Sequence, residues 1–106
     1  MKNYLIIGGA GFLGSHIVET LIDNQAKITV SDIIGPEYVN KIKQHMSKIN
    51  YIWKSTEDLK EQDLVGIDCV IFLAAQADVP LVLSSPKYSF YSNISGLISV
   101  LELLRT

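Results

Sequence analysis

Cysteine is almost absent from this chain: Cys69 is its one thiol. A single cysteine excludes an internal disulfide, and its place within the apolar run Cys69 to Leu73 predicts a buried thiol in a reducing, cytoplasmic setting. A surplus of positive charge is absent as well. Nine Lys and Arg stand against eleven Asp and Glu, for a formal charge of -2 and a pI near 5.5, and the basic residues are scattered. Such a surface offers no attractive field to nucleic acid, so a nucleic-acid partner is not expected. Long apolar runs are missing too. The opening "MKNYLIIGG" holds one Lys and an apolar stretch far shorter than a signal or a membrane span needs, which predicts a soluble protein with no membrane partner. There is no repeat, low-complexity tract or linker, so residues 1–106 read as one domain. Apolar residues are plentiful, at 48% with a mean hydropathy of +0.26, a rich core for so short a chain.

Periodicity alternates between strand and helix. Leu5 to Ile7, Ile28 to Ser31, Ile49 to Trp53 and Cys69 to Leu73 are short, β-branched or aromatic runs that predict strands. Between the first two, Leu13, Ile17, Val18 and Leu21 recur at helical spacing, with Asn24 as a stop. Pro36 to Lys48 predicts a second, more polar helix with Pro36 in its first turn. Ser55 to Leu64 reads as a loop with at most one short helix. Ser85 caps a long final helix whose apolar face is Phe90, Tyr91, Ile94, Leu97, Ile98, Leu101 and Leu104. This order defines an α/β domain, a doubly wound parallel sheet that ends after its fourth strand and the helix behind it.

Four glycines fall in the seven positions Gly8 to Gly14, between the first strand and the first helix. They can be read as Gly9-x-Gly11-x-x-Gly14 or as Gly8-x-x-Gly11-x-x-Gly14. An early glycine permits a tight turn with positive φ, Gly11 lets a pyrophosphate approach the backbone, and Gly14 lets the helix pack closely. The helix N-terminus then offers free N–H groups and the positive end of its dipole to a diphosphate. Asp32, at the end of the second strand and 18 positions beyond Gly14, completes a dinucleotide-binding pattern. Its carboxylate can accept hydrogen bonds from both hydroxyls of an adenosine ribose and would repel a 2′-phosphate, and no Lys or Arg follows before Lys41. NAD is therefore expected over NADP.

The blocks "IIGGAGFLGSH", "DCVIFLAAQADVP" and "SSPKYSFYSNISGLISVLELL" resemble the N-terminal half of the extended short-chain dehydrogenases/reductases, in particular the NAD-dependent sugar-nucleotide epimerases and dehydratases. The resemblance spans the whole chain and implies a Rossmann-type fold. It implies that Gly8, Gly11 and Gly14 hold the cofactor pyrophosphate with the backbone N–H groups of Phe12 and Leu13. Leu73, Ala74 and Ala75 would line the cofactor at the end of the fourth strand, although small packing residues describe them equally well. Asn93, followed by Gly96, matches the family's helix block; its amide bonds a neighbouring backbone or orders the nicotinamide side. Ile7 and Phe72 replace the family's usual Thr and His. The acidic residue near adenine is hard to place: Asp58 is a candidate, Ser55 could occupy its slot, and an ordinary surface-loop Asp also fits.

Members of this family move a hydride with a Tyr and a Lys four residues later. Tyr4, Tyr38, Tyr51, Tyr88 and Tyr91 are followed at that position by Gly8, Ile42, Ser55, Ser92 and Ser95. The resemblance thus implies the NAD-binding half of an enzyme acting on a nucleotide sugar. This chain alone would be inactive and prone to dimerise or self-associate through its final helix or the edge of its fourth strand. A stand-alone NAD-sensing module, or a reductase of a non-sugar alcohol or ketone, are the alternatives. No metal site is expected, since His16 and His45 lack ligand-spaced partners. Ser84 and Ser85 have no nearby His base, and Glu57, Asp58, Glu61 and Asp63 read as a solvated acidic face.

Overall fold

The chain forms strands β1 (Asn3–Ile7), β2 (Lys27–Asp32), β3 (Asn50–Trp53) and β4 (Cys69–Phe72), with helices α1 (Phe12–Asp23) and α2 (Pro86–Leu104). The computed structural model describes residues 2–74, 84 and 86–105. The strands make one parallel sheet in the order β3-β2-β1-β4. Alternation sorts the side chains of β1 onto two faces. Ile6 joins Val18, Ile28 and Val30 in a core beneath α1, while Leu5 and Ile7 join Leu59 and Val100 in a second core beneath α2. The predicted doubly wound architecture is therefore present, with both faces of the sheet covered as a parallel sheet requires.

Helix α1 ends where Asn24 predicts. Gln25 takes a left-handed φ of 61°, and the Ala26 N–H reaches back to the Leu21 carbonyl at 3.1 Å, closing the helix with a Schellman-type bond. Other expectations need correction. Pro36 to Lys48 is not one α-helix but two 3₁₀ segments, Pro36–Tyr38 and Lys43–Lys48. Val39 between them is extended, because both Val39 and Ile42 turn inward and bury in the α1-side core; that burial overrides a spacing that would also suit a helix. Residues Ser55 to Leu64 hold two short 3₁₀ turns, Thr56–Asp58 and Glu61–Leu64, rather than one.

Cys69 is exposed, not buried, since it opens the outermost strand. Leu13 is also exposed. Of the predicted apolar stripe of α2, Ile94, Leu97, Ile98, Leu101 and Leu104 are exposed, Ile98 and Leu101 at 57% and 55%, while Val100, at 2%, and Leu103 meet the core; the side chains of Phe90 and Tyr91 lie outside the described residues. Asp63 departs from the solvated acidic face, for it pairs with Lys54 at 3.0 Å and accepts the Lys60 N–H at 2.8 Å. Burial raises the Asp63 carboxyl, but these bonds from Lys60 and Lys54 more than offset it and hold it below the ordinary carboxylate range.

Candidate cofactor-binding site

The glycine loop lies across the carboxyl ends of β1 and β2. Gly8 turns the chain with φ +87°, and its N–H donates to the Ser31 carbonyl at 2.7 Å. A Cβ at Gly8 would stand 2.8 Å from the Ala74 nitrogen, at Gly9 2.8 Å from Val30 Cγ1, and at Gly14 2.6 Å from both the Gly8 oxygen and Gly9 Cα. Packing within the chain thus accounts for glycine at 8, 9 and 14. Gly11 differs. Its φ of -80° and ψ of -173° suit any residue, and among the described residues a Cβ there would meet only the Gly8 oxygen, at 3.6 Å. Nothing among the described residues requires glycine at this position.

Gly11 is also the N-cap of α1, and no side chain caps that helix. The first-turn N–H groups have no partner within a helix. Phe12 and Leu13, the first two residues of the helix, are 72% and 59% exposed. The positive end of the α1 dipole adds to the potential at this point, which favours an anion over the open surface of Gly11.

Asp32 stands at the mouth of the loop and is already engaged. Oδ2 accepts the Ala10 N–H at 3.1 Å, and Oδ1 accepts the N–H groups of Ile33 at 2.7 Å and Ile34 at 3.3 Å. A carboxylate offers about four acceptor directions, so three bonds leave room for a ligand hydroxyl. Two aromatic side chains of β3 hold the same turn from the other side. Tyr51 Oη donates to the Ile34 carbonyl at 2.6 Å, and Trp53 Nε1 donates to the Ile33 carbonyl at 3.0 Å. Burial, and then the negative charge of Asp32, push the Tyr51 phenol up to about 12.

Gly8, Gly11, Phe12, Leu13, Gly14 and Asp32 therefore lie together at the carboxyl end of the two central strands. Leu73 and Ala74 border it: the Leu73 N–H donates to the Ile7 carbonyl at 2.8 Å, and the Ala74 backbone abuts Gly8. Ala75 and Ser85 lie outside the described residues, as does the side chain of Asn93, whose backbone belongs to α2. Asp58 is exposed and accepts the Ser55 hydroxyl at 3.0 Å, so the Ser55–Asp58 pair closes its own turn. The sequence alone does not mark Tyr51 and Trp53 as site residues. The signal was there in two aromatics at alternate positions of a strand, but only the register that sets Trp53 beside Asp32 gives it meaning. Among the described residues no group of three His, Cys, Asp or Glu could hold a metal ion, and no helix is long and apolar enough to cross a membrane.

A parallel sheet in the order 3-2-1-4, a glycine turn leading into an uncapped helix and an acidic residue closing the next strand define a Rossmann-type fold. The chain belongs to the NAD dependent epimerase/dehydratase family, whose model matches residues 4–106. It is similar to the UDP-glucose 4-epimerase of Lactobacillus helveticus, with 29% identity over 104 residues, covering 94% of this chain and 31% of that protein. Among solved structures it resembles the UDP-glucose 4-epimerase of Thermotoga maritima, determined with UDP-glucose, at 32% identity and a TM-score of 0.80; 95% of this chain and 33% of that one are covered. The UDP-glucose 4-epimerase of Thermus thermophilus, determined with NAD, gives 29% identity and a TM-score of 0.80 over 97% of this chain and 33% of that one. The chain spans between about a quarter and a third of the length of curated relatives it matches.

Proposed function

We propose that this chain is the NAD-binding part of an enzyme that acts on a nucleotide sugar as an epimerase or dehydratase. The observation that carries the reading is Gly11. Its neighbours in the motif are glycine because the protein's own backbone, and at Gly9 the Val30 and Ile6 side chains, fill the space of a side chain, whereas among the described residues the space over Gly11 is open and faces an uncapped helix end. A diphosphate is the group that such a surface suits. Phe12 and Leu13 would give it their N–H groups, and Asp32 would accept from the adenosine ribose and disfavour the 2′-phosphate of NADP. Leu73, Ala74 and Ala75 would line the path toward the nicotinamide, and Asn93 would order that end, as the family resemblance implies. Bound NAD supplies a hydride acceptor and donor for chemistry at a sugar carbon.

The chain carries no Tyr with a Lys four residues later, so the acid/base pair of this family is not within it, and no turnover is expected from it alone. Self-association through α2 and the β4 edge belongs to the same reading. Among the described residues Ile94, Ile98, Leu101 and Leu104 of α2 lie open, and β4 ends the sheet with one side unpaired. Titration calorimetry with NAD and with NADP, on the wild-type chain and on Gly11→Val, tests the cofactor assignment. NAD should bind more tightly than NADP, and the valine should abolish both; equal affinity for the two, or binding that survives Gly11→Val, overturns it.

A further inference from the structure

We infer that Tyr51 and Trp53 are positioning residues for the cofactor site: together they hold the Ile33–Ile34 turn so that the Asp32 carboxylate faces both the glycine loop and the ribose. The inference rests on the NAD-binding reading above. A relay of hydrogen bonds runs from β3 to the loop. Tyr51 and Trp53 donate to the carbonyls of Ile34 and Ile33, the N–H groups of the same two residues donate to Asp32 Oδ1, and Asp32 Oδ2 accepts from Ala10. Both residues of the turn are thereby held on the donor and the acceptor side. An exposed turn left to water would sample several conformations, and a carboxylate attached to it would share that freedom.

The Trp53 ring shows that the turn is held from outside the core. It is 62% exposed, so burial is not what keeps it in place; its N–H bond to Ile33 and its edge against Gly35 do. A Cβ at Gly35 would lie 3.5 Å from Trp53 Cζ2 and 3.4 Å from Tyr38 Cδ2, so the indole and the phenol flank the backbone just beyond Ile34. Tyr51 does the same from within, with its half-buried hydroxyl ending on Ile34 rather than on water. Loosening either contact frees the carbonyl side of the turn, and the carboxylate loses its fixed direction.

The test compares ADP with 2′-deoxy-ADP by titration calorimetry on the wild-type chain, Tyr51→Phe and Trp53→Phe, with folding followed by circular dichroism. Each phenylalanine keeps a ring and removes one donor. The wild type should prefer ADP by about tenfold or more, the value of a hydrogen bond to a charged acceptor. Each variant should reduce that preference to roughly threefold or less while remaining folded. A purely structural role would lower the unfolding midpoint and leave the preference unchanged, and that result overturns the inference. A wild type that binds NAD but does not distinguish the two probes also overturns it, leaving the cofactor reading intact. A wild type that binds neither NAD nor ADP refutes both.

Discussion

Alanine at Gly14 and at Gly11 separates the glycines the fold needs from the one the ligand needs. At Gly14 the new methyl would stand 2.6 Å from the Gly8 oxygen and Gly9 Cα and 2.9 Å from the Gly9 carbonyl carbon. All three are backbone atoms, so relief requires α1 to move off the loop. Overpacking of this kind costs about 2–3 kcal/mol, the upper part of its usual range. For a domain of this size that lowers the unfolding midpoint by on the order of 10–20 °C. At Gly11 the nearest atom among the described residues is 3.6 Å away and the backbone is one that alanine adopts freely. Reduced freedom of the unfolded chain favours alanine by about 0.4–1 kcal/mol, while its poorer fit to a helix N-cap takes back a similar amount. Gly11→Ala should therefore stay within ~1 kcal/mol of wild type, yet lose NAD affinity by about tenfold or more as the methyl enters the diphosphate's space. Calorimetric unfolding paired with NAD titration reads both quantities. Destabilisation of Gly11→Ala as large as that of Gly14→Ala would refute the reasoning, because it would mean that the chain itself fills the space above Gly11.

Gln25→Gly should raise stability by roughly 1 kcal/mol in urea unfolding, since Gln25 holds a left-handed backbone that glycine adopts without strain. The depressed Asp63 carboxyl contributes stability above the unfolded carboxylate pKa, lost as pH falls through the lower folded value; wild-type stability should drop below roughly pH 4, and Asp63→Asn should flatten that drop. Tyr51, raised to about 12, contributes stability that is complete below the unfolded phenol value near 10 and is lost as pH climbs toward 12; a phenolate absorbance titration should lose its latest step in Tyr51→Phe. Light scattering across a dilution series to ~100 μM should show self-association, weakened by Leu101→Glu on the open α2 stripe or by Cys69→Lys on the β4 edge; a wild-type monomer at that concentration contradicts it.

Much of this protein is legible in its sequence because the determining interactions are local. Alternating β-branched runs specify the four strands, the Leu13 to Leu21 spacing specifies α1, and a glycine-rich turn between strand and helix has few uses other than a close backbone approach. The strand order 3-2-1-4 and the meeting of the glycine loop with Asp32 follow once the parallel, doubly wound pattern is recognised. Elsewhere competing local signals were resolved by burial. Pro36 to Lys48 has helical spacing, yet Val39 and Ile42 reach the core only through an extended link. Cys69 sits in an apolar run, yet its strand is the outermost one, and strand position is a property of the whole sheet. The stripe on α2 is regular, but Val100 and Leu103, outside it, meet the core.

Three features belong to tertiary structure alone. Which glycines are packed and which is open depends on where Val30, Ala74 and the loop's own backbone lie in space. The triple engagement of Asp32 depends on Ala10, 22 residues earlier, being brought to its carboxylate. The hold of Tyr51 and Trp53 on the Ile33–Ile34 turn depends on the register of β2 against β3, which a sequence cannot express because a parallel pair is set by the connection between its strands and by the core beneath them, not by either strand's own residues.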